Sequence, residues 1–428
     1  MSKTAGFCAS IVLVFFGVLF AQSEEVLTWQ DCLREAQKNH PDLISALEFV
    51  KQSQAAKAIS QSGLAPQVNA SIDASRAMTT TSASSGKAKK TANSFQYGAS
   101  ASQLLFDGAK TKNEVSSAGE DILAAQYSYS FISSEVRLRL RTAFIDLLKA
   151  QELLNLTREI YSIRRSNLEL ITLRYESGME HKGALLTAQA NLAQSEFEIT
   201  QNKRALFVAQ SQLNKEIGRG GFSPLKVSAD FNVRDTVSQK PDLQALAKKH
   251  PSLGKSIAQK NSASFSIKAA QAEYLPQLSL QAAANRTGAR FLPQNDQLNA
   301  GLSLSFPLFE GGLRSAQVAR AKAVYNQAEA DERSTKDNII VGLQQSWAAL
   351  QDSLETVAVQ KKFLLAVEER SLIAEAQYSL GLIQFDTWTI IEDDLVSRKK
   401  VFLNAQVNAL LAEADWVQAK GEILEYAP

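Results

Sequence analysis

From Leu308 to Ala427 the chain carries no proline, and its apolar residues recur at a regular step. Ile340, Leu343, Trp347, Leu350, Leu354 and Val357 advance by three and four residues in alternation. That is a period near 3.5, the period of a left-handed coiled coil. The spacing predicts a helix from Leu313 to Ser379, about 100 Å long at about 1.5 Å per residue. Ordinary globular domains do not hold helices of that length. The predicted break is Tyr378-Ser379-Leu380-Gly381, where glycine can take the left-handed conformation that ends a helix. A second helix then runs back along Trp388, Leu395, Phe402, Ala409 and Trp416, each seven residues from the last.

The same pattern occurs 203 residues earlier. Its seam is Leu140, Phe144, Leu147, Gln151 and Leu154, its break Tyr175-Glu176-Ser177-Gly178, and its return Leu185, Leu192, Ile199, Leu206 and Leu213. Agreement over both arms and the turn indicates a tandem duplication of a long helical hairpin. The predicted organisation is a first repeat at 24–220 with its tip near Gly178, a glycine-rich linker at 221–240, and a second repeat at 241–428 with its tip near Gly381. Leu225 to Val227 is a candidate short strand inside the linker. Each repeat opens with a helix broken before a proline, Asn39-His40-Pro41 in the stretch from Leu27 to Gln61 and Lys249-His250-Pro251 in its copy. These histidines follow the repeat and read as structural.

Between that helix and the hairpin the period changes from 3.5 to 2. Val68, Ala70, Ile72 and Ala74 alternate with Gln67, Asn69, Ser71 and Asp73, the pattern of a strand with one apolar and one polar face. The first β-hairpin is expected over 66–106, with a polar loop at Met78 to Asn93. The second is expected over 276–309, where Leu298, Ala300, Leu302, Leu304 and Phe306 alternate with Asn299, Gly301, Ser303 and Ser305. Leu302 and Leu304 are expected to face lipid, and Ser303 and Ser305 a lumen. The offset between repeats is 210 at Pro41 and Pro66 but 203 from Phe106 onward, so the extra residues belong to the first β-hairpin.

Strands of this length cross a bilayer when tilted. Four strands per chain cannot close a barrel, and open edges are not viable in lipid, so the chain must oligomerise. Two chains supply eight strands with a filled interior, three supply twelve with a lumen, and four are not excluded by the count. The predicted fold class is mainly α with membrane β: long antiparallel coiled-coil hairpins plus two transmembrane β-hairpins.

Residues 1–23 read as a secretory signal, with Lys3 before the apolar run Phe7 to Phe20. After its removal only Cys32 of the two cysteines remains, so no intrachain disulfide can form. Lys and Arg number 46 against 44 Asp and Glu. There is no basic field, which argues against nucleic acid as a partner.

No catalytic constellation is present: no HExxH, GxSxG, phosphate loop or CxxC. Neither a cofactor nor a metal site is predicted. Glu392-Asp393-Asp394 is the densest acidic group and reads as a charged face near a tip. Gly311-Gly312 reads as a strand-to-helix turn.

The order and spacing of these features resemble the outer-membrane efflux proteins, the TolC-like channel subunits, over essentially the whole mature length. The resemblance is carried by several features together. They are the helix openings at Asn39-His40-Pro41 and Lys249-His250-Pro251 and the strand starts Pro66-Gln67 and Pro276-Gln277. The turns Leu105-Phe106-Asp107-Gly108 and Leu308-Phe309-Glu310-Gly311-Gly312 follow, and then the tips Tyr175-x-x-Gly178 and Tyr378-x-x-Gly381. The resemblance implies a homotrimer with a 12-stranded β-barrel in the outer membrane of a Gram-negative bacterium, continued by an α-helical barrel into the periplasm. It further implies a periplasmic adaptor, an inner-membrane pump and outer-membrane lipid as partners, in efflux or type I secretion. The implied adaptor-docking tips are Gly178, Glu180, His181, Lys182, Gly381, Leu382 and Ile383. Where well-known members carry aspartates past the second tip, this chain has Thr387 and Ile390. Asp386 and Asp393 flank that face, so Asp386, Ile390 and Asp393 are the candidate entrance constriction. The alternatives are a structural trimeric coiled-coil envelope protein and a periplasmic adaptor, which carries one helical hairpin between small β domains.

Overall fold

A computed structural model describes residues 25–83, 86–231 and 241–425. The expected signal peptide and much of the expected linker lie outside them. The elements are β1 (Glu25–Leu27), α1 (Trp29–Asn39), α2 (Pro41–Ser62), β2 (Gln67–Ala83), β3 (Gly86–Phe106), α3 (Lys110–Glu176) and α4 (Lys182–Glu216), then β4 (Leu225–Val227), α5 (Leu243–Lys249), α6 (Pro251–Ala272), β5 (Gln277–Gly288), β6 (Asn295–Ser305), α7 (Leu313–Ser379) and α8 (Phe385–Ala419).

α3 and α7 each have 67 residues, about 100 Å of helix. Their partners are shorter. α4 and α8 have 35 residues each, about 52 Å, and pack on the tip-side part of the long helices. α2 and α6 have 22 residues each, about 33 Å, and take over the remaining length. The repeats interlock, since α6 and α8 both pack on α3 as well as on α7.

Where the short helices meet end to end, the same device appears twice. Gly218 turns at φ +80° against the Asn39 backbone, and Gly421 turns at φ +75° against Pro251 and His250. A Cβ at either position would come within 2.6 Å of those atoms, so glycine is required for both the φ and the close approach. All three histidines of the chain serve as N-caps. Nδ1 of His40 accepts from the Asp42 amide at 3.2 Å, that of His250 from the Ser252 amide at 3.2 Å, and that of His181 from the Ala184 amide at 3.1 Å.

The expected helix from Leu27 begins two residues later, at Trp29. Thr28 and Asp31 form a capping box there, and Glu25–Leu27 pairs in parallel with β4 instead. This small sheet closes the main hydrophobic core, in which Leu140, Phe144, Leu147, Leu213 and Ile217 are fully buried. Cys32 lies in the same core, and burial pushes its thiol up to about 12.

The second sheet has the order β2-β3-β5-β6, antiparallel throughout. Directly paired residues point to the same side, so the register assigns faces without ambiguity. Val68, Ala101, Ala282 and Ala300 form one row, and Ala70, Ala99, Ala284 and Leu298 the next row on that side. Asn69, Ser100, Ala283 and Asn299, and then Ser71, Gly98, Asn285 and Gln297, form rows on the other. One face is therefore apolar across all four strands, with Leu278, Leu280, Leu302 and Leu304 at its near end, and the other is hydroxyl- and amide-rich. Along β5 the apolar-face residues Ala282, Ala284 and Arg286 are exposed, whereas Ala283, Asn285 and Thr287 on the polar face are half-buried.

Two boundaries differ from the sequence reading. The expected loop at Met78 to Asn93 is strand almost to its tip: β2 and β3 pair in unbroken register as far as Ala83 and Gly86. Ladder hydrogen bonds are made by the backbone, so a Thr-, Ser- and Lys-rich segment can continue a hairpin that its side chains do not advertise. In the second β-hairpin, β6 stops at Ser305 and not at Phe309, because Pro307 has no N–H to donate.

Candidate functional site

Each long hairpin reverses through the same backbone turn. At the first tip the Met179 amide donates to the Arg174 carbonyl at 2.8 Å, and at the second the Leu382 amide donates to the Gln377 carbonyl at 2.8 Å. Gly178 at φ +74° and Gly381 at φ +75° supply the left-handed residue of this Schellman pattern. Neither glycine has another atom within 4 Å of where a Cβ would sit. Both tips thus end in open space.

Beneath the tips the two hairpins are joined by one aromatic cluster. Tyr378 stacks on Trp388 with ring centroids 4.5 Å apart and planes at 6°. Phe385 meets both rings edge-on at 6.4 and 6.3 Å. From the other hairpin, Arg174 sets its guanidinium 4.6 Å from the Tyr378 ring and donates through Nη1 to the Tyr378 carbonyl at 3.1 Å. Ile171, Ala184, Ala188 and Ala374 complete the cluster. Burial, and after it the Glu180 carboxylate, push the Tyr378 phenol up to about 12. Arg174 Nε and Trp388 Nε1 are buried here without a hydrogen bond, and the Tyr378 hydroxyl lies against the Glu180 carboxylate.

The predicted docking residues divide. Gly178, His181, Lys182, Gly381 and Leu382 are exposed. Glu180 is half-buried beside Tyr378, and Ile383 is half-buried against the aromatic cluster, so these two do not present free surface. Sequence reasoning missed Met179 and Leu380, which are 64% and 75% exposed and make the tips apolar.

Asp386, Ile390 and Asp393 do share one exposed face of α8, opposite Trp388, Ile391 and Leu395. Asp393 is not a free acid, however. Arg164 of α3, 9% exposed, donates to it and forms an ion pair between the two hairpins. The acidic run is equally committed: Glu392 is buried and accepts from the Ser371 hydroxyl, and Asp394 pairs with Arg398 at 3.2 Å. Among the described residues no group of three or more His, Cys, Asp or Glu side chains could hold a metal ion.

A family model described as outer membrane efflux protein matches residues 32–219 and 243–425, one segment in each repeat. The chain belongs to that family. The outer membrane efflux protein BepC of Brucella suis biovar 1 (strain 1330) is 22% identical over 421 residues, covering 97% of this chain and 87% of BepC. The outer membrane protein TolC of Escherichia coli (strain K12) is 24% identical over 354 residues, covering 76% of this chain and 68% of TolC. Among solved structures, CusC superposes with a TM-score of 0.81 at 17% identity, covering 91% of both chains. The open-state MtrE outer membrane channel of Neisseria gonorrhoeae gives 0.78 at 17% identity, covering 92% of this chain and 88% of that one. The fold is that of these channel subunits.

Proposed function

We propose that three copies of this chain form a passive duct through the outer membrane of a Gram-negative bacterium. The single observation that carries this reading is the four-stranded sheet. It has one apolar face, one polar face and unpaired edges at β2 and β6. In lipid those edges must pair, and joining β6 of one copy to β2 of the next is the arrangement that repeats around an axis. Eight strands would fill their own interior, whereas twelve leave a lumen, the number the family resemblance implies. Leu302 and Leu304 then face lipid, and Ser303 and Ser305 face the lumen. Among the described residues no helix is long and apolar enough to cross a membrane; on this reading the sheet crosses it and the helical hairpins extend into the periplasm.

The exposed apolar crown at Met179, Leu380 and Leu382 suits docking by a periplasmic adaptor, which couples the duct to an inner-membrane pump in efflux or type I secretion. The chain acts as a conduit and not as an enzyme. On this reading Asp386 and Ile390 line the narrowed entrance, while Asp393 holds the hairpins together there. Chemical cross-linking in intact membranes is expected to yield a ladder that stops at three subunits. A ladder ending at two or four overturns the trimer.

A further inference from the structure

Beyond the duct itself, the outer rim of the sheet carries a charge pattern that the export role does not use. Phe95 and Tyr97 lie on the apolar face, and Phe291 from the β5–β6 loop packs on them at 5.9 and 6.2 Å. Nine residues along β3, Phe106 marks the opposite end of that strand. The spacing is about 30 Å along the strand, or about 23 Å in height at the usual tilt, the height of a lipid-facing band between two aromatic girdles.

The first β-hairpin continues past the outer girdle. Two residues beyond Ala74, on the same face, comes Arg76, and opposite Thr80 on that face comes Lys89, about 13 Å farther out. Arg290 precedes Phe291 in the β5–β6 loop, next to the outer girdle. All three are exposed, and none makes an ion pair or hydrogen bond among the described residues. The acid of this zone, Asp296, is held by Arg286 through two hydrogen bonds, one of 2.9 Å. The other acid of the sheet, Asp73, lies on the opposite, polar face. Arg76 thus lies just beyond the aromatic girdle on the apolar face, with Lys89 about 13 Å farther out on the same face, while Lys90 is exposed on the opposite face.

We propose that Arg76, Lys89 and Arg290 form a binding surface for the phosphate groups of a phosphorylated lipid in the outer leaflet. Charge complementarity at the headgroup level selects this occupant, and the uncommitted cations supply charge-assisted bonds to phosphate oxygens. The inference rests on the duct reading, which is what turns the apolar face toward lipid.

The test uses the full-length protein, purified in detergent, stripped of bound lipid and titrated with bisphosphorylated lipid A. The readout is native mass spectrometry. Arg76→Gln, Lys89→Gln and Arg290→Gln should each weaken binding about fivefold, and the triple variant about a hundredfold. Lipid A with its phosphates removed should bind the wild type as weakly as the triple variant binds the intact lipid. A charge-preserving Arg76→Lys, Lys89→Arg, Arg290→Lys variant should retain binding, and wild-type binding should fall with added salt. Equal affinity of the triple variant, equal binding of the dephosphorylated lipid, salt-insensitive binding, or competition by inorganic phosphate at matching concentration would each overturn the proposal. A wild type that fractionates outside the membrane defeats the duct reading itself. A membrane-embedded wild type indifferent to phosphate defeats this inference alone.

Discussion

Replacing Tyr378 by alanine should open the second tip without unfolding the rest of the chain. Tyr378 is 1% exposed, stacked on Trp388 and covered by Arg174. Truncating a large buried aromatic costs about 3–5 kcal/mol, and the lost stacking is a further fraction of that. Against this, the Tyr378 hydroxyl is buried beside the Glu180 carboxylate, and removing it returns part of its desolvation cost, about 1 kcal/mol. The balance is a loss of about 3 kcal/mol. It should fall on the tip, because the other two buried clusters share no residue with this one. Hydrogen–deuterium exchange of peptides covering 385–395 should quicken about a hundredfold, with peptides from the sheet unchanged. Two controls fix the cause. Tyr378→Phe removes only the hydroxyl, keeps the stacking on Trp388, and should be near neutral. Tyr175→Ala, at the matching position of the first repeat, removes a side chain that is 37% exposed and should cost less than about 1 kcal/mol. Unchanged exchange in Tyr378→Ala, or an equal effect from Tyr175→Ala, refutes the reasoning.

Leu302→Arg should lower assembly of the heat-sensitive oligomer in membranes by about 2–4 kcal/mol if it lies near the bilayer midplane. Ser303→Arg should assemble and conduct less; the reverse outcome would put the strand phase off by one. Ala109 begins α3 at φ +68°, where its repeat counterpart is Gly312 at φ +86°. Ala109→Gly should therefore raise stability by about 0.5 kcal/mol, the relief of strain less the added freedom of the unfolded chain, read as a higher dissociation temperature. Asp386→Asn should lower cation preference in single-channel recordings. Asp393→Asn should instead loosen the tip, because it leaves Arg164 buried without its partner.

The helices, their seams and their reversals were legible because a coiled coil and a Schellman turn write themselves into residue spacing. The alternating strands were legible for the same reason. The extension of the first β-hairpin through Thr79 to Lys90 was not, since its backbone ladder is indifferent to the side chains it carries. The tip was only half legible. Tyr175 and Tyr378 hold the same place in the two repeats, yet one is surface and the other core. What separates them is Phe385 and Trp388, which stand where the first repeat has Lys182 and Leu185. Periodicity places Trp388 on the seam, but only the packing of α3 against α8 makes Tyr378 its centre. The pairing of Asp393 with Arg164 spans the two repeats and leaves no trace in local sequence.

The strand order β2-β3-β5-β6 also sets a timetable. β2 meets β3 across a two-residue gap, but Phe106 meets Leu278 only after roughly 170 intervening residues have been delivered. Between them lie the first helical hairpin, the crossover and the opening helices α5 and α6 of the second repeat. Contacts within a hairpin are closer in sequence and form sooner. The first long hairpin can thus form before the four-stranded sheet is complete, so that, on the proposed duct reading, the sheet edges would be exposed only late, shortly before a neighbouring copy covers them.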